Sequence, residues 1–116
     1  MQRLASIAAA VLLCATQATL AQDVMQFHSR QLKVLAEDDK VRVLDYSPRA
    51  GEKTPMHSHP PYVVYVVKGG RVRYTAPDGA VTVTTLTTGQ TIIRPATTHA
   101  DEALDDVEAI LVELKK

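Results

Sequence analysis

The sequence predicts an all-β protein, a small antiparallel barrel or sandwich, and three observations carry that prediction. Short β-branched and aromatic runs recur at close intervals. All glycines and prolines fall between Pro48 and Pro95, where they punctuate those runs. No segment sustains the 3.6-residue apolar period of an amphipathic helix. A chain of 116 residues buries one modest core, so one domain is expected.

From the N-terminus, Arg3 gives a positive start, Leu4 to Leu13 is an uncharged apolar run, and Thr19-Leu20-Ala21 offers small residues at −3 and −1. That is the layout of a secretory signal peptide, with a run too short for a membrane span of roughly 20 residues. Cleavage is expected after Ala21, leaving a single domain over 22–116 and a periplasmic or secreted protein. Cys14 is the only cysteine and leaves with the leader, so disulfides and thiolate nucleophiles are excluded from the mature chain. The 13 basic and 13 acidic residues balance, with no basic stripe or aromatic ladder; nucleic acid is not an expected partner, nor is stable membrane insertion.

After the leader, Gln22 to Asp39 reads as a mixed polar stretch with an apolar patch at Leu32, Val34 and Leu35. Val41 to Tyr46 is a β-branched run stopped by Ser47-Pro48 and the Arg49-Ala50-Gly51 turn. Tyr62 to Val67 is dense in Val and Tyr and halts at Gly69-Gly70. Arg71 to Thr75 alternates, with Val72 and Tyr74 on one face and the arginines on the other, where a solvated face is the simpler reading. Pro77-Asp78-Gly79 is a turn, because Pro fixes φ and Gly accepts a positive one. Val81 to Leu86, Gln90 to Arg94 and Val107 to Leu114 complete the strands, and the acidic Ala100 to Asp106 stretch reads as a loop or a short helical turn.

The chemistry concentrates in histidines. In an extended segment alternate side chains share a face, so His57 and His59 point the same way and form half of a metal site. His99 follows a second Gly-to-Pro stretch, Gly89 to Pro95, and is the third candidate. His28, beside Ser29 and Arg30, reads as a surface residue. There is no G-x-S-x-G elbow, phosphate-cradling glycine loop or dinucleotide fingerprint, so catalysis here would be metal chemistry or simple acid–base chemistry.

Two motifs give a family resemblance. Gly51, five residues, His57-Ser58-His59 and then Gly69-Gly70 resemble the first cupin motif, G-x5-H-x-H-x(3,4)-E-x6-G. Gly89, five residues, Pro95 and His99 resemble the second, G-x5-P-x-G-x2-H-x3-N. The resemblance covers roughly Val41 to Leu114 and implies a cupin or jelly-roll barrel. It also implies that the three histidines meet inside, on adjacent strands. The chain departs from the pattern at four points. No carboxylate stands at Tyr62, Val63 or Val64, where the motif has its glutamate; Thr97 replaces a glycine and His99 comes one residue early; Ala103 replaces the asparagine.

Three neutral imidazoles suit a divalent Fe, Zn, Ni, Cu or Mn ion with positions left open. Glu102 is the preferred fourth ligand, with Asp101 and Tyr62 behind it, and Glu102 or Tyr62 is the expected acid or base. Tyr62, Tyr65 and Tyr74 read either as pocket phenols or as ordinary sheet aromatics. Arg94, which the resemblance implies stands near the barrel mouth, is a candidate for an anionic substrate. The expected function is an exported metal-binding cupin, as an oxygenase, isomerase or lyase acting on a small molecule. The alternatives are a non-catalytic periplasmic metal- or ligand-binding protein and a metal-free dimeric cupin acting through its dimer surface. A homodimer is expected, because so small an open barrel leaves edges and apolar surface.

Overall fold

The computed structural model describes residues 22–27 and 30–116; the predicted leader 1–21, with Cys14, and His28 lie outside the described residues. The strands are β1 (Gln22–Asp23), β2 (Leu32–Glu37), β3 (Val41–Tyr46), β4 (Lys53–His59), β5 (Tyr62–Lys68), β6 (Gly70–Thr75), β7 (Val81–Leu86), β8 (Thr91–Arg94), β9 (Thr97–Ala103) and β10 (Glu108–Leu114), with one 3-10 turn at Val24–Phe27. They form two five-stranded sheets, in the orders β1-β4-β9-β6-β7 and β2-β3-β10-β5-β8. All pairings are antiparallel except β1 with β4. The result is an all-β jelly roll, as the sequence predicts.

Alternation decides the core. On β3, Leu44 and Tyr46 face inward; on β5, Tyr62 and Val66; on β10, Ala109 and Leu111. These pack with Leu32, Val72, Leu86, Ala103 and Val107 between the sheets. The Pro77-Asp78-Gly79 turn closes the β6–β7 hairpin with Gly79 at φ 89°, a conformation glycine adopts without strain. At Gly69 the constraint is space rather than φ. A Cβ there would lie 2.4 Å from the Leu86 carbonyl oxygen and 2.9 Å from the Thr88 nitrogen, both backbone atoms.

Two segments depart from the sequence expectation. The polar Gln22 to Asp39 stretch contains two strands: β1 lies beside the histidine strand, and β2 pairs with β3 through a register shift between Val34 and Ala36. The acidic Ala100 to Asp106 stretch is neither loop nor helical turn in its first half, because β9 runs to Ala103 between β4 and β6. Its charges do not oppose the strand, since each has a place. Asp101 is buried and bonded, while Glu102 faces outward to Arg73 and Lys53.

The outer face of the second sheet carries an apolar row. Ile93, Val63, Val112, Val43 and Ala36 stand in one cross-strand row over all five strands. Ile93 is 83% exposed and Tyr65, nearby on β5, 50%.

Candidate metal centre

The histidine strand is shaped by a bulge. Between Thr54 and His57 the β4–β9 register shifts, so Thr54, His57 and His59 all point inward despite their uneven spacing. Pro55 sits in this irregular stretch, where a strand tolerates the loss of a ladder donor. The Pro55 carbonyl oxygen lies 2.6 Å from His57 Nδ1. His99 lies directly opposite His57 across β4 and β9. The three rings are buried, and their ligand atoms lie within 4.8 Å of one another.

Hydrogen bonds fix the tautomers of two rings. A carbonyl can only accept, so His57 donates from Nδ1 to Pro55. Glu113 Oε2 lies 2.7 Å from His59 Nδ1, and a carboxylate likewise accepts, so His59 donates from Nδ1 to Glu113. In the neutral rings both Nε2 atoms then carry lone pairs, and they stand 2.9 Å apart. Two acceptors at that distance repel unless a cation or a proton lies between them. Burial opposes a proton on His57, lowering it to about 4 against the Pro55 bond that would raise it, and lowers His99 to about 3 with further help from neighbouring imidazoles and Arg94. Converging imidazoles, two of them held in fixed orientation through Nδ1, are the donor set a divalent metal requires, and the residues present fit one.

Behind His59 runs a chain of charges that the sequence reading missed. Glu113 is 1% exposed; its Oε1 accepts from Arg42 Nε at 2.7 Å, and the Arg42 guanidinium also holds Asp23 Oδ1 and Oδ2 at 3.0 and 2.9 Å. A carboxylate of this kind orients a metal-ligating histidine and raises its basicity. The signal was in the alternation. Arg42 shares a face with Leu44 and Tyr46, and Glu113 shares one with Ala109 and Leu111, so opposite charges stand on the core faces of two strands. It was masked because Ile110, Val112 and Leu114 make the other face of β10 look like the core.

The remaining expectations divide. Glu102 is a correction: it is not beside the histidines as a ligand, acid or base, because alternation on β9 turns it outward, where Oε1 accepts from Arg73 Nη1 at 2.6 Å. Its neighbour Asp101 takes the inward position. Asp101 Oδ1 accepts from the Tyr46 hydroxyl at 2.6 Å and Oδ2 lies 3.9 Å from His57 Nε2. Burial pushes the Asp101 carboxyl above its usual range, although bonds from Tyr46 and Thr54 pull the other way. Tyr62 lies inside the barrel beside the histidines. It is 5% exposed, with its ring 4.8 Å from His59, while Tyr74 stacks on His99 at 5.1 Å. Burial and the Asp101 charge hold the Tyr74 phenol well above its ordinary value. Tyr65, on the opposite face of β5, points out of the barrel.

Space surrounds the histidines on both sides. A cavity of about 40 Å³ touches all three together with Val24, Tyr46 and Asp101. A wider one of about 320 Å³ opens from His99 past Tyr62, Tyr74, Ile92 and Arg94 towards β7.

A two-sheet antiparallel jelly roll with histidines from paired strands turned into its interior defines the class: this chain has the cupin fold. Solved structures agree. The chain is similar to a cupin domain from Bordetella pertussis, at 24% identity and a TM-score of 0.67 over 73% of this chain and 92% of that one. It is also similar to a cupin superfamily protein from Desulfitobacterium hafniense, at 18% identity and a TM-score of 0.58 over 73% and 76%. KdgF from Halomonas sp. aligns at 20% identity and a TM-score of 0.55 over 76% and 83%. At these identities the likeness is one of fold. No family model and no curated protein matches the chain.

Proposed function

We propose that this protein binds one divalent metal ion through His57, His59 and His99 and uses it to act on a small molecule, as an enzyme of the oxygenase, isomerase or lyase type. The observation that carries the proposal is the pair of facing Nε2 lone pairs at 2.9 Å, held in place by Pro55 and Glu113. When bound, the metal would supply Lewis acidity or, for iron or copper, redox chemistry.

The chain's own residues would do the rest. Glu113 and Pro55 hold two imidazoles in their ligating tautomers. Asp101 accepts a hydrogen bond on the inner side, from a water or a substrate hydroxyl in the small cavity. Tyr62 and Tyr74 wall the approach from the larger cavity, with Tyr62 the phenol best placed to give or take a proton. A site for storage or structure is closed to small molecules; this one opens into a cavity of about 320 Å³, which favours turnover over storage.

Two further proposals complete the reading. Residues 1–21 direct export to the periplasm or beyond, and the apolar outer row from Ile93 to Ala36 joins two copies in a homodimer.

Calorimetric titration of the metal-free protein with zinc or manganese tests the centre. One ion should bind per chain. His57 and His99 should contribute almost no proton release at neutral pH, because burial already holds both rings neutral. Binding that is undiminished in His57→Ala and His99→Ala would place the ion elsewhere and end the proposal.

A further inference from the structure

The larger cavity has a charge pattern that neither the fold nor the histidines require. Among the described residues its walls carry no carboxylate, and Arg94 is their one permanent cation. On β8, Arg94 pairs with Tyr62 of β5, so both side chains address the same space between the sheets. Most other arginines are committed: Arg30 to Glu52, Arg42 to Glu113 and Asp23, Arg71 to Asp105, and Arg73 to Glu102. Arg94 has no hydrogen-bond or ion-pair partner among the described residues, although it stands at the lip of a buried site whose neighbours feel its charge.

An unpaired guanidinium facing an acid-free cavity suits an anion, and its fork of donors matches a carboxylate in a two-point contact. The threonines of β7 extend this wall. Thr82 is paired across the sheet with Tyr74, and Thr84 with Val72, and both line the cavity, offering hydroxyls to a polar chain. Val64 and Ile92 supply the apolar side. The volume lies at the low end of the range for small-molecule sites, roughly 300–1,000 Å³.

We propose that this cavity binds a small organic acid, its carboxylate held by Arg94 and its remaining polar groups directed past Tyr62 and Tyr74 to the three histidines. The proposal names the substrate class of the metal centre and rests on that reading only for the second anchor; the Arg94 contact stands without it. Arg94 is thus a specificity-determining residue, acting on the substrate's charge rather than on the reacting atoms.

The test uses malonate and its uncharged analogue malonamide as probes. Each is titrated by NMR into wild type, Arg94→Gln and Arg94→Lys, with and without zinc. Arg94 is exposed, so the variants should keep the wild-type circular dichroism and melting temperature. Arg94→Gln should weaken malonate by roughly tenfold or more in both metal states, since a hydrogen-bonded charge is lost. Arg94→Lys should fall between the two, keeping charge without the fork. Malonamide should bind the wild type no better than malonate binds Arg94→Gln. Malonate affinity equal in wild type and Arg94→Gln, or no malonate binding by the wild type at millimolar concentration, would overturn the proposal even if zinc binds normally. If zinc fails to bind while Arg94→Gln still weakens malonate, the metal centre falls and the anion site is supported.

Discussion

The Glu113 carboxylate offers the sharpest perturbation of the centre, because it changes charge without changing shape. In Glu113→Gln one carboxylate with two accepting oxygens becomes an amide with one. The native oxygens serve two donors, His59 Nδ1 at 2.7 Å and Arg42 Nε at 2.7 Å. The amide oxygen can satisfy one of them, and its NH2 group then faces the other donor. If His59 loses, its ring is free to turn or change tautomer, and its Nε2 no longer points reliably at the metal position. Removing such a partner typically lowers metal affinity about 10–100-fold, or roughly 1.4–2.7 kcal/mol. The metal-free protein should also lose about 3 kcal/mol, the low end for breaking a buried pair, because Arg42 keeps both contacts to Asp23. Zinc affinity would be measured by competition with a chromophoric chelator, and stability by urea denaturation of the metal-free chains. Glu102→Gln is the control. Its carboxylate faces outward to Arg73 and should leave zinc affinity unchanged. Zinc affinity in Glu113→Gln within about threefold of wild type would refute the orienting role assigned to this carboxylate.

Other expectations follow from the same geometry. The folded-state values of His57 and His99, about 4 and 3, lie below the unfolded value of 6.5. Between these limits the unfolded chain binds more protons. The metal-free protein should therefore be fully stable above pH 6.5 and lose stability as pH falls towards 4, by on the order of 3 kcal/mol for each of the two rings. Urea midpoints equal at pH 7 and pH 5 would contradict this. Gly69→Ala should lower the melting temperature by roughly 10 °C, because the new methyl meets backbone atoms that cannot swing away; an unchanged melting curve would mean the β5–β6 corner yields freely. Light scattering should find a dimer for the wild type and a monomer for the Tyr65→Lys, Ile93→Lys double variant, since both side chains lie on the exposed apolar face. A wild-type monomer, or a dimer that survives both lysines, would remove that face as the interface.

Much of this was legible in the sequence. The runs at Val41, Tyr62, Arg71 and Val81 announce themselves through β-branched density and glycine or proline stops, and each became a strand. The histidines were legible because spacing fixes facing: His57 and His59 share a side by alternation, and the second motif placed His99 on a neighbouring strand. What stayed hidden depended on pairing rather than composition. Glu102 and Asp101 are adjacent acids, and only the β9 register decides that Asp101 enters the barrel while Glu102 meets Arg73. The β1 strand is two residues long and exists because it lies along β4, with Asp23 at the end of the Arg42 chain. Val24 beside it is 2% exposed, although its polar surroundings give no sign of burial. Glu113 was concealed by a strand with apolar residues on both faces, one for the core and one for the outer row.

The account stands on the two lone pairs that face each other between His57 and His59. Elemental analysis of untagged protein, purified without chelator or added metal and run beside His57→Ala and His99→Ala, addresses them most directly. About one divalent ion per chain in the wild type, lost in both variants, is the predicted result. A folded wild type that carries no metal, and takes none up when zinc, iron, manganese, nickel and copper are supplied in turn, would contradict it.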